Sequence, residues 1–171
     1  SMGLPESSFL AATNANDGVP RYLSTGVFEP RPSRKTMSTA MDVGDPSNFA
    51  RILHLYEGDL ERLRRDLSGK RVSDEETREA IRHVHDRYGH LLDPHTAVGF
   101  VALERALEGR SGTVGVLLAT ASPAKFADVL EPVLGRRIPL PPELARGLEA
   151  ESRVTPLEPT FGSLSDFLRS L

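Results

Sequence analysis

The chain has 171 residues, enough for one domain with a substantial core but short for two. Its 21 basic and 24 acidic residues give a formal charge of −3, which argues against a nucleic-acid-binding role. Cysteine is absent and no apolar run reaches the roughly 20 residues of a membrane span, so we expect a soluble, cytoplasmic chain without disulfides, thiolate chemistry or a membrane partner.

The first predicted elements, a strand and a turn, lie within residues 8–26. Phe9–Thr13 is a short, continuous apolar run, typical of a parallel strand covered on both faces, and the turn-forming run NANDG follows it. The stretch VPRYLSTG then predicts a short helix or extended link that ends at Gly26. The opening residues lack the pattern of a domain start, so we expect a chain that begins within a fold, with Ser1 either internal or a cloning scar.

We predict that residues 27–47 form a long ordered loop or lid, because compact domains rarely use so many residues for a connection alone. The loop is rich in proline and contains a basic patch of Arg31, Arg34 and Lys35. This patch could close over a phosphorylated substrate, although such charge runs are more often solvated surface.

Helices are predicted across residues 45–110, each opening on a capping residue. The three openings are Asp45-Pro46, Ser73 with Glu76 three residues later, and Asp93-Pro94. The first helix should break at Gly58, the second should lie on the surface up to His85, and the third should end at Gly109.

Residues 113–135 predict a strand, a turn and a helix. Val114–Ala119 is a second apolar run, expected to be a buried strand, and Ser122-Pro123 should open the following helix. Residues 139–171 predict a C-terminal wrap with two short helices, in PPELARGLEAES and SLSDFLRSL.

Strands that alternate with capped helices predict an α/β fold with a parallel sheet. Two strands do not complete such a sheet, because a buried parallel strand needs neighbours on both edges. We therefore expect a partial parallel sheet with flanking helices, whose missing strands come from elsewhere.

Thr120 ends the second predicted strand, at the sheet edge where α/β proteins bind ligands. Lys125 follows in the first turn of the next helix, where a cation opposes the helix dipole unless an anion binds there. Asn14, Asn16 and Asp17 follow the first strand and could also approach a ligand. The ordinary alternatives are a strand-ending threonine, a solvated lysine and turn-forming Asn and Asp residues.

The histidines do not predict a metal site. His83 and His85 fall on different faces of the second helix, so with His90 they do not make a zinc site. His95 lies in the capping turn of the third helix, where a structural role is the more common one.

Four blocks of the chain resemble threonine synthases in their order and spacing. The blocks are FLAATNANDGVPRYL, TMSTAMDVGDPSNFARI, DPHTAVGFVALE and LLATASPAKFADVLEPVLG, and with the terminal PPELA the resemblance covers nearly the whole chain. This family comprises pyridoxal 5'-phosphate enzymes of fold type II, the tryptophan-synthase-β-like fold. They convert O-phospho-L-homoserine and water to L-threonine and phosphate in threonine biosynthesis. The resemblance implies that residues 1–171 are a C-terminal part of the catalytic region.

The resemblance also implies a role for Thr120, whose hydroxyl would bond the pyridine nitrogen of the cofactor. A neutral hydroxyl does not stabilise a protonated ring as a carboxylate would, which moderates the electron sink toward elimination and replacement. The family usually has Thr-Ala-His-Pro-Ala-Lys-Phe in this block. Here Ser122 replaces the histidine, so a role of that imidazole does not carry over.

In the family, the Schiff-base lysine and the glycine-rich loop that holds the cofactor phosphate lie upstream of the matching region. The lysines of this chain are Lys35, in the basic loop, Lys70, in a predicted Ser-Gly turn, and Lys125. None is expected to be desolvated enough to form a Schiff base. The fragment should therefore be inactive alone and need the missing N-terminal part.

Two other functions stay open from the sequence. One is a non-catalytic α/β module that binds a small anion for regulation, and the other is a different fold type II lyase. An upstream lysine-bearing strand and a Ser-Gly-Asn-like loop would favour the enzyme, whereas a natural start near Met2 would favour the module.

Overall fold

The computed structural model describes residues 8–151 and 154–171. The chain divides into two compact units, the first ending at Pro139 and the second running Leu140–Leu171. The expected start within a fold concerns residues 1–7, which lie outside the described residues. The strands are β1 Phe9–Thr13 and β2 Leu67–Arg71, and the helices are α1 Gly18–Thr25, α2 Phe49–Leu55, α3 Leu60–Asp66, α4 Asp74–Tyr88, α5 Pro94–Leu107, α6 Ala127–Leu134, α7 Pro142–Glu149 and α8 Phe161–Ser170.

The described sheet has two parallel strands, with Phe9 opposite Leu67 and Thr13 opposite Arg71. This arrangement confirms the α/β class with a partial parallel sheet. β1 has the predicted bounds but is less covered than expected, since Phe9 is 56% exposed. β2 was not predicted: the sequence LSGKR lacks β-forming residues, and the placing of Lys70 in a turn is wrong.

Two apolar clusters hold the first unit together. Tyr22, Leu23, Phe49 and Leu63 join α1, α2 and α3, and the ring of Phe28 stacks on Phe49 with centroids 4.6 Å apart. A second set of buried side chains lies between the sheet and α5, where Leu10 and Ala12 of β1 cover it. This second set is Val72, Val98 and Ala102.

The first predicted helix does break near Gly58, which has a positive φ of 75°, but it begins at Phe49 instead of Pro46. A turn comes first, closed by a hydrogen bond from the Phe49 N–H to the Pro46 carbonyl at 2.9 Å. Asp59 then caps α3 by accepting from the N–H of Arg62 at 2.9 Å.

The capping box of Ser73 and Glu76 is present at the start of α4. The helix runs beyond His85 to Tyr88, and it lies at the surface as predicted, but with one face buried. A helical stripe of four side chains faces inward and is buried, because α4 packs against α5. The stripe consists of Thr77, Ala80, Ile81 and Val84.

Residues 113–120 form no strand, so the prediction of a buried strand over Val114–Ala119 is wrong. Gly115 and Leu117 are half-buried against α5, since an added Cβ on Gly115 would lie 2.9 Å from Leu103. The alternate side chains of Val114, Val116 and Leu118 are 79–86% exposed. The exposure thus alternates as it would along a strand, but among the described residues no strand pairs with this segment.

The sequence predicts that Ser122 opens the next helix, but its side chain makes no capping hydrogen bond. Pro123–Phe126 forms a 3-10 turn, and α6 begins only at Ala127. In the second unit, α7 and α8 confirm the two predicted terminal helices. Within the described ranges, no helix is long and apolar enough to cross a membrane.

Candidate active site

The carboxyl ends of β1 and β2 lie at the same edge of the sheet, because the strands are parallel and Thr13 pairs with Arg71. This is the edge at which open α/β sheets bind ligands. Three of the predicted site residues follow directly from β1, and the loop over residues 27–47 folds back on them. The three are Asn14, Asn16 and Asp17.

The buried side chain of Asn14 anchors this loop. Its residue surface is 1% exposed, and its amide N–H groups donate to the hydroxyls of Thr36 and Ser38 at 2.8 and 3.0 Å. The same amide nitrogen lies 2.9 Å from a carboxylate oxygen of Asp42. The carboxylate of Asp42 also accepts from the Thr36 N–H at 2.9 Å. Through these contacts Asn14 anchors the loop.

Asn16 holds the backbone of the loop at Arg34. Its amide donates to the Arg34 carbonyl at 2.9 Å, and its oxygen accepts from the Arg34 N–H at 2.7 Å. Asn14 in turn accepts from the Asn16 N–H at 2.9 Å. Asp17 lies beside them at the start of α1, with its carboxylate 3.7 Å from Nε of Arg21. Asn14, Asn16 and Asp17 are thus brought together, around the loop.

His95 links the same loop to α5. Its Nε2 lies 3.0 Å from the backbone N–H of Ala40, and its Nδ1 lies 2.9 Å from Asp93. A backbone N–H can only donate, so Nε2 must accept. The ring is therefore neutral and carries its proton on Nδ1, which donates to the carboxylate.

Asp93 holds both α5 and this ring. Its carboxylate accepts from the N–H groups of His95 and Thr96 and from the Thr96 hydroxyl. Burial by itself would raise the pKa of Asp93, but the hydrogen bonds from Thr96 and His95 outweigh it and hold the pKa below its ordinary value. The buried carboxylate is thus ionised and suited to accept from His95.

The ring of His95 also contacts Phe126, with centroids 4.8 Å apart in an edge-on arrangement. Phe126 ends the 3-10 turn that follows Thr120 and contains Lys125. His95 therefore connects the loop at the end of β1 with the segment that carries the other two predicted site residues. The position of His95 in the capping turn did not predict its contact with Phe126.

Thr120 and Lys125 are both exposed. Thr120 stands at the end of the segment whose apolar side chains are uncovered, and the Lys125 N–H donates to the Ser122 carbonyl at 3.1 Å. The roles of all five candidate residues stay predictions. Among residues 8–151 and 154–171, no group of acidic and histidine side chains could hold a metal ion.

Sequence reasoning missed the polar residues on the loop side of this site. Thr36, Ser38 and Asp42 lie in the run TMSTAMD, whose density of small polar side chains was the available signal. Arg21 and Arg71 were also missed, although Arg21 follows Asp17 by one helical turn.

Comparisons with known proteins agree on one family. A family model described as "Threonine synthase, C-terminal" matches residues 96–168. The threonine synthase of Serratia marcescens is 40% identical over 171 residues, which cover 100% of this chain and 39% of that protein. The threonine synthase of Escherichia coli K12 is 41% identical over 145 residues, covering 85% of this chain and 33% of that protein.

Solved structures give the same answer for the fold. The crystal structure of Escherichia coli threonine synthase superposes with a TM-score of 0.81 at 36% identity, covering 98% of this chain and 38% of the other. PLP-bound threonine synthase from Brucella melitensis gives 0.81 at 31% identity, covering 99% and 41%. This chain thus spans about two fifths of these proteins. It belongs to the threonine synthase family and corresponds to the C-terminal part of its members.

Proposed function

We propose that this chain is the C-terminal part of a threonine synthase, which converts O-phospho-L-homoserine and water to L-threonine and phosphate with pyridoxal 5'-phosphate. One observation carries the proposal: relatedness to threonine synthases extends over the whole chain, at 40% identity for the Serratia marcescens protein. The PLP-bound relative from Brucella melitensis supports the cofactor. The cytoplasmic location favoured by a cysteine-free chain belongs to the same proposal.

Thr120 is our candidate for contact with the cofactor. Its side chain is exposed at the end of residues 113–120, and a neutral hydroxyl can donate to a pyridine nitrogen. The residue present therefore fits the group. When bound, pyridoxal phosphate supplies the electron sink that the reaction needs. The chain's own contribution at this point is to orient the ring through one hydrogen bond and to leave its nitrogen unprotonated.

The remaining residues position and enclose the site. The contacts of Asn14 and Asn16 fix the loop at the end of β1, and His95 fixes it from α5. Asp17, next to that loop, and Lys125, next to Thr120, stay as candidates for substrate contact. Asn14 and Asn16 remain candidates only through the loop they hold, because their amides are already engaged.

The N-terminal part of the same enzyme would be the missing partner. Val114, Val116 and Leu118 form an uncovered apolar row along a segment whose exposure alternates as in a strand. An apolar row that is exposed in one part of a protein usually marks a surface that another part or partner covers. A neighbouring strand from the N-terminal part would pair with the backbone of this segment, and an element of that part packed on its apolar face would cover the side chains.

A non-catalytic anion-binding module is the alternative from another functional class, and a different fold type II lyase is a third. Relatedness that runs through all four sequence blocks favours threonine synthase over both. The upstream sequence separates the module from the enzyme, and substrate profiling separates the two enzymes.

The test uses the full-length protein loaded with pyridoxal phosphate. We expect threonine and inorganic phosphate to form in equal amounts from O-phosphohomoserine. Thr120→Val should weaken cofactor binding and slow turnover, because a buried ring nitrogen then loses its donor, whereas Thr120→Ser should retain both. A loaded, folded protein that forms neither product would refute the proposed activity, and unchanged kinetics in Thr120→Val would remove Thr120 from the site.

A further inference from the structure

A cavity of about 190 Å³ opens at the carboxyl ends of β1 and β2. Its floor is the turn Ala15–Gly18 that leads into α1, and its walls come from the loop and from the last residue of β2. Four arginines line it: Arg21, Arg31, Arg34 and Arg71. Asp17 is the acidic residue among its lining residues, so the four arginines leave the lining with a strongly positive formal charge.

Two of these arginines are already paired in part. Arg21 and Arg31 both reach a carboxylate oxygen of Glu29, at 3.4 and 3.3 Å, and Nε of Arg21 is 3.7 Å from Asp17. That Nε is buried and has no hydrogen-bond partner in the described structure. A buried donor without an acceptor is rare in proteins, and an acceptor that bound beside Arg21 would satisfy it.

The other two arginines have no such partner. Within residues 8–151 and 154–171, no carboxylate lies within ion-pair distance of Arg34 or Arg71. Both side chains therefore bring uncompensated charge to the cavity. Lys35, the third member of the predicted basic patch, does not line it.

The backbone that carries these arginines is held in place before any ligand arrives. Asn16 fixes the N–H and the carbonyl of Arg34. The Arg31 N–H donates to the Gly44 carbonyl at 3.2 Å, and an added Cβ on Gly44 would clash with the Arg31 carbonyl oxygen. Only glycine permits this approach, so the loop is built to hold Arg31 and Arg34 at the cavity. Preorganised charges bind an anion without the cost of ordering a loop.

We infer that this cavity binds a phosphate group, either on the phosphoester substrate or as the released inorganic ion. The planar guanidinium fork matches phosphate oxygens bidentately, and several forks converge here. The volume is below the roughly 300–1,000 Å³ of pockets that enclose a whole drug-sized ligand, so the cavity suits a headgroup and not the entire cofactor. Assigning the ester to O-phosphohomoserine rests on the proposed function.

The experiment measures inorganic phosphate binding to the full-length, pyridoxal-phosphate-loaded protein by calorimetry. Arg34→Gln and Arg71→Gln should each weaken binding about 10- to 100-fold, the loss expected for one charge-assisted contact. Arg34→Lys should recover part of the affinity, because the charge remains without the fork. Arg51→Gln is the matched control, since Arg51 is exposed on α2 and does not line the cavity.

The two phosphate sources are separated by steady-state kinetics and by competition. If the substrate ester binds here, the variants raise KM for O-phosphohomoserine, and inorganic phosphate competes with that substrate in the wild type. If the cavity takes only the released ion, phosphate affinity falls in the variants while KM is unchanged. Both results support a phosphate site.

Two results would overturn it. One is unchanged phosphate affinity in Arg34→Gln and Arg71→Gln, with circular dichroism showing both folded. The other is a loss confined to the affinity for pyridoxal phosphate, which would assign the cavity to the cofactor. Failure of the proposed function is distinct: the protein would form no threonine, although phosphate affinity still fell in the variants.

Discussion

Replacing Asn14 with alanine should release the loop from the end of β1. The buried amide of Asn14 joins Thr36, Ser38 and Asp42, and its oxygen holds Asn16. Alanine removes all of these contacts at once and leaves several partners buried.

The magnitude follows from the partners that remain. The Thr36 and Ser38 hydroxyls still bond each other at 3.2 Å, and Thr36 still donates to Asp42 at 2.7 Å, so the network is weakened and not abolished. A net hydrogen bond contributes roughly 1 kcal/mol, and an orphaned buried group costs about 1–3 kcal/mol. We therefore expect a loss of about 2–3 kcal/mol in the free energy of local opening.

Trypsin digestion of the full-length protein measures this opening, since the bonds after Arg34 and Lys35 lie in the loop. Where cleavage follows the open population, the cleavage rate should rise about 30- to 140-fold in Asn14→Ala. Asn48→Ala is the control, because Asn48 is exposed and its side chain does not cap α2. Equal cleavage rates in the two variants would refute the anchoring role of Asn14.

Three further predictions concern other parts of the chain. Gly44→Ala should lower the free energy of unfolding by at least about 2 kcal/mol, whereas Gly147→Ala, with open space around it, should not; equal melting temperatures would contradict the close approach. The hydrogen bonds that Glu76 accepts from Ser73 and Arg105 lower its pKa from the ordinary 4.5 to about 2. Its stabilisation is thus present above pH 4.5 and is lost as the pH falls toward 2, so the stability gap to Glu76→Gln should narrow across that window. If the stability difference between the wild type and Glu76→Gln did not change with pH, the lowered pKa of Glu76 would be contradicted. Val116→Asp in the full-length enzyme should impair folding more than Val27→Asp, as judged by soluble yield and melting temperature; equal tolerance would mean that the exposed row stays uncovered.

Several local signals predicted the structure correctly, although Asp45-Pro46 and Ser122-Pro123 did not open α-helices. The start of α4 at Ser73 and Glu76, the start of α5 at Asp93-Pro94 and the turn at Gly26 depend on hydrogen bonds and backbone angles within a few residues. Such features require no knowledge of the rest of the fold.

The strands were predicted less well, because a strand depends on its neighbour. Leu67–Arg71 has poor β propensity but pairs with β1, while Val114–Ala119 has good β propensity but no partner strand in the described residues. In both cases the outcome depended on pairing between residues that are far apart in the sequence.

The candidate site shows the same division. Asn14, Asn16 and Asp17 could be selected because they follow a strand. The arginine cavity could not, since Arg21, Arg34 and Arg71 come from a helix, a loop and the unpredicted strand. His95 was recognised as a capping residue, but its contact with Ala40 joins positions 55 residues apart.

An experimental structure of the full-length protein with pyridoxal phosphate tests the central claim most directly. We expect the Thr120 hydroxyl to lie within hydrogen-bonding distance of the pyridine nitrogen, with Val114, Val116 and Leu118 covered by the N-terminal part. A ring nitrogen that faces a different side chain, with Thr120 still in solvent, would contradict it.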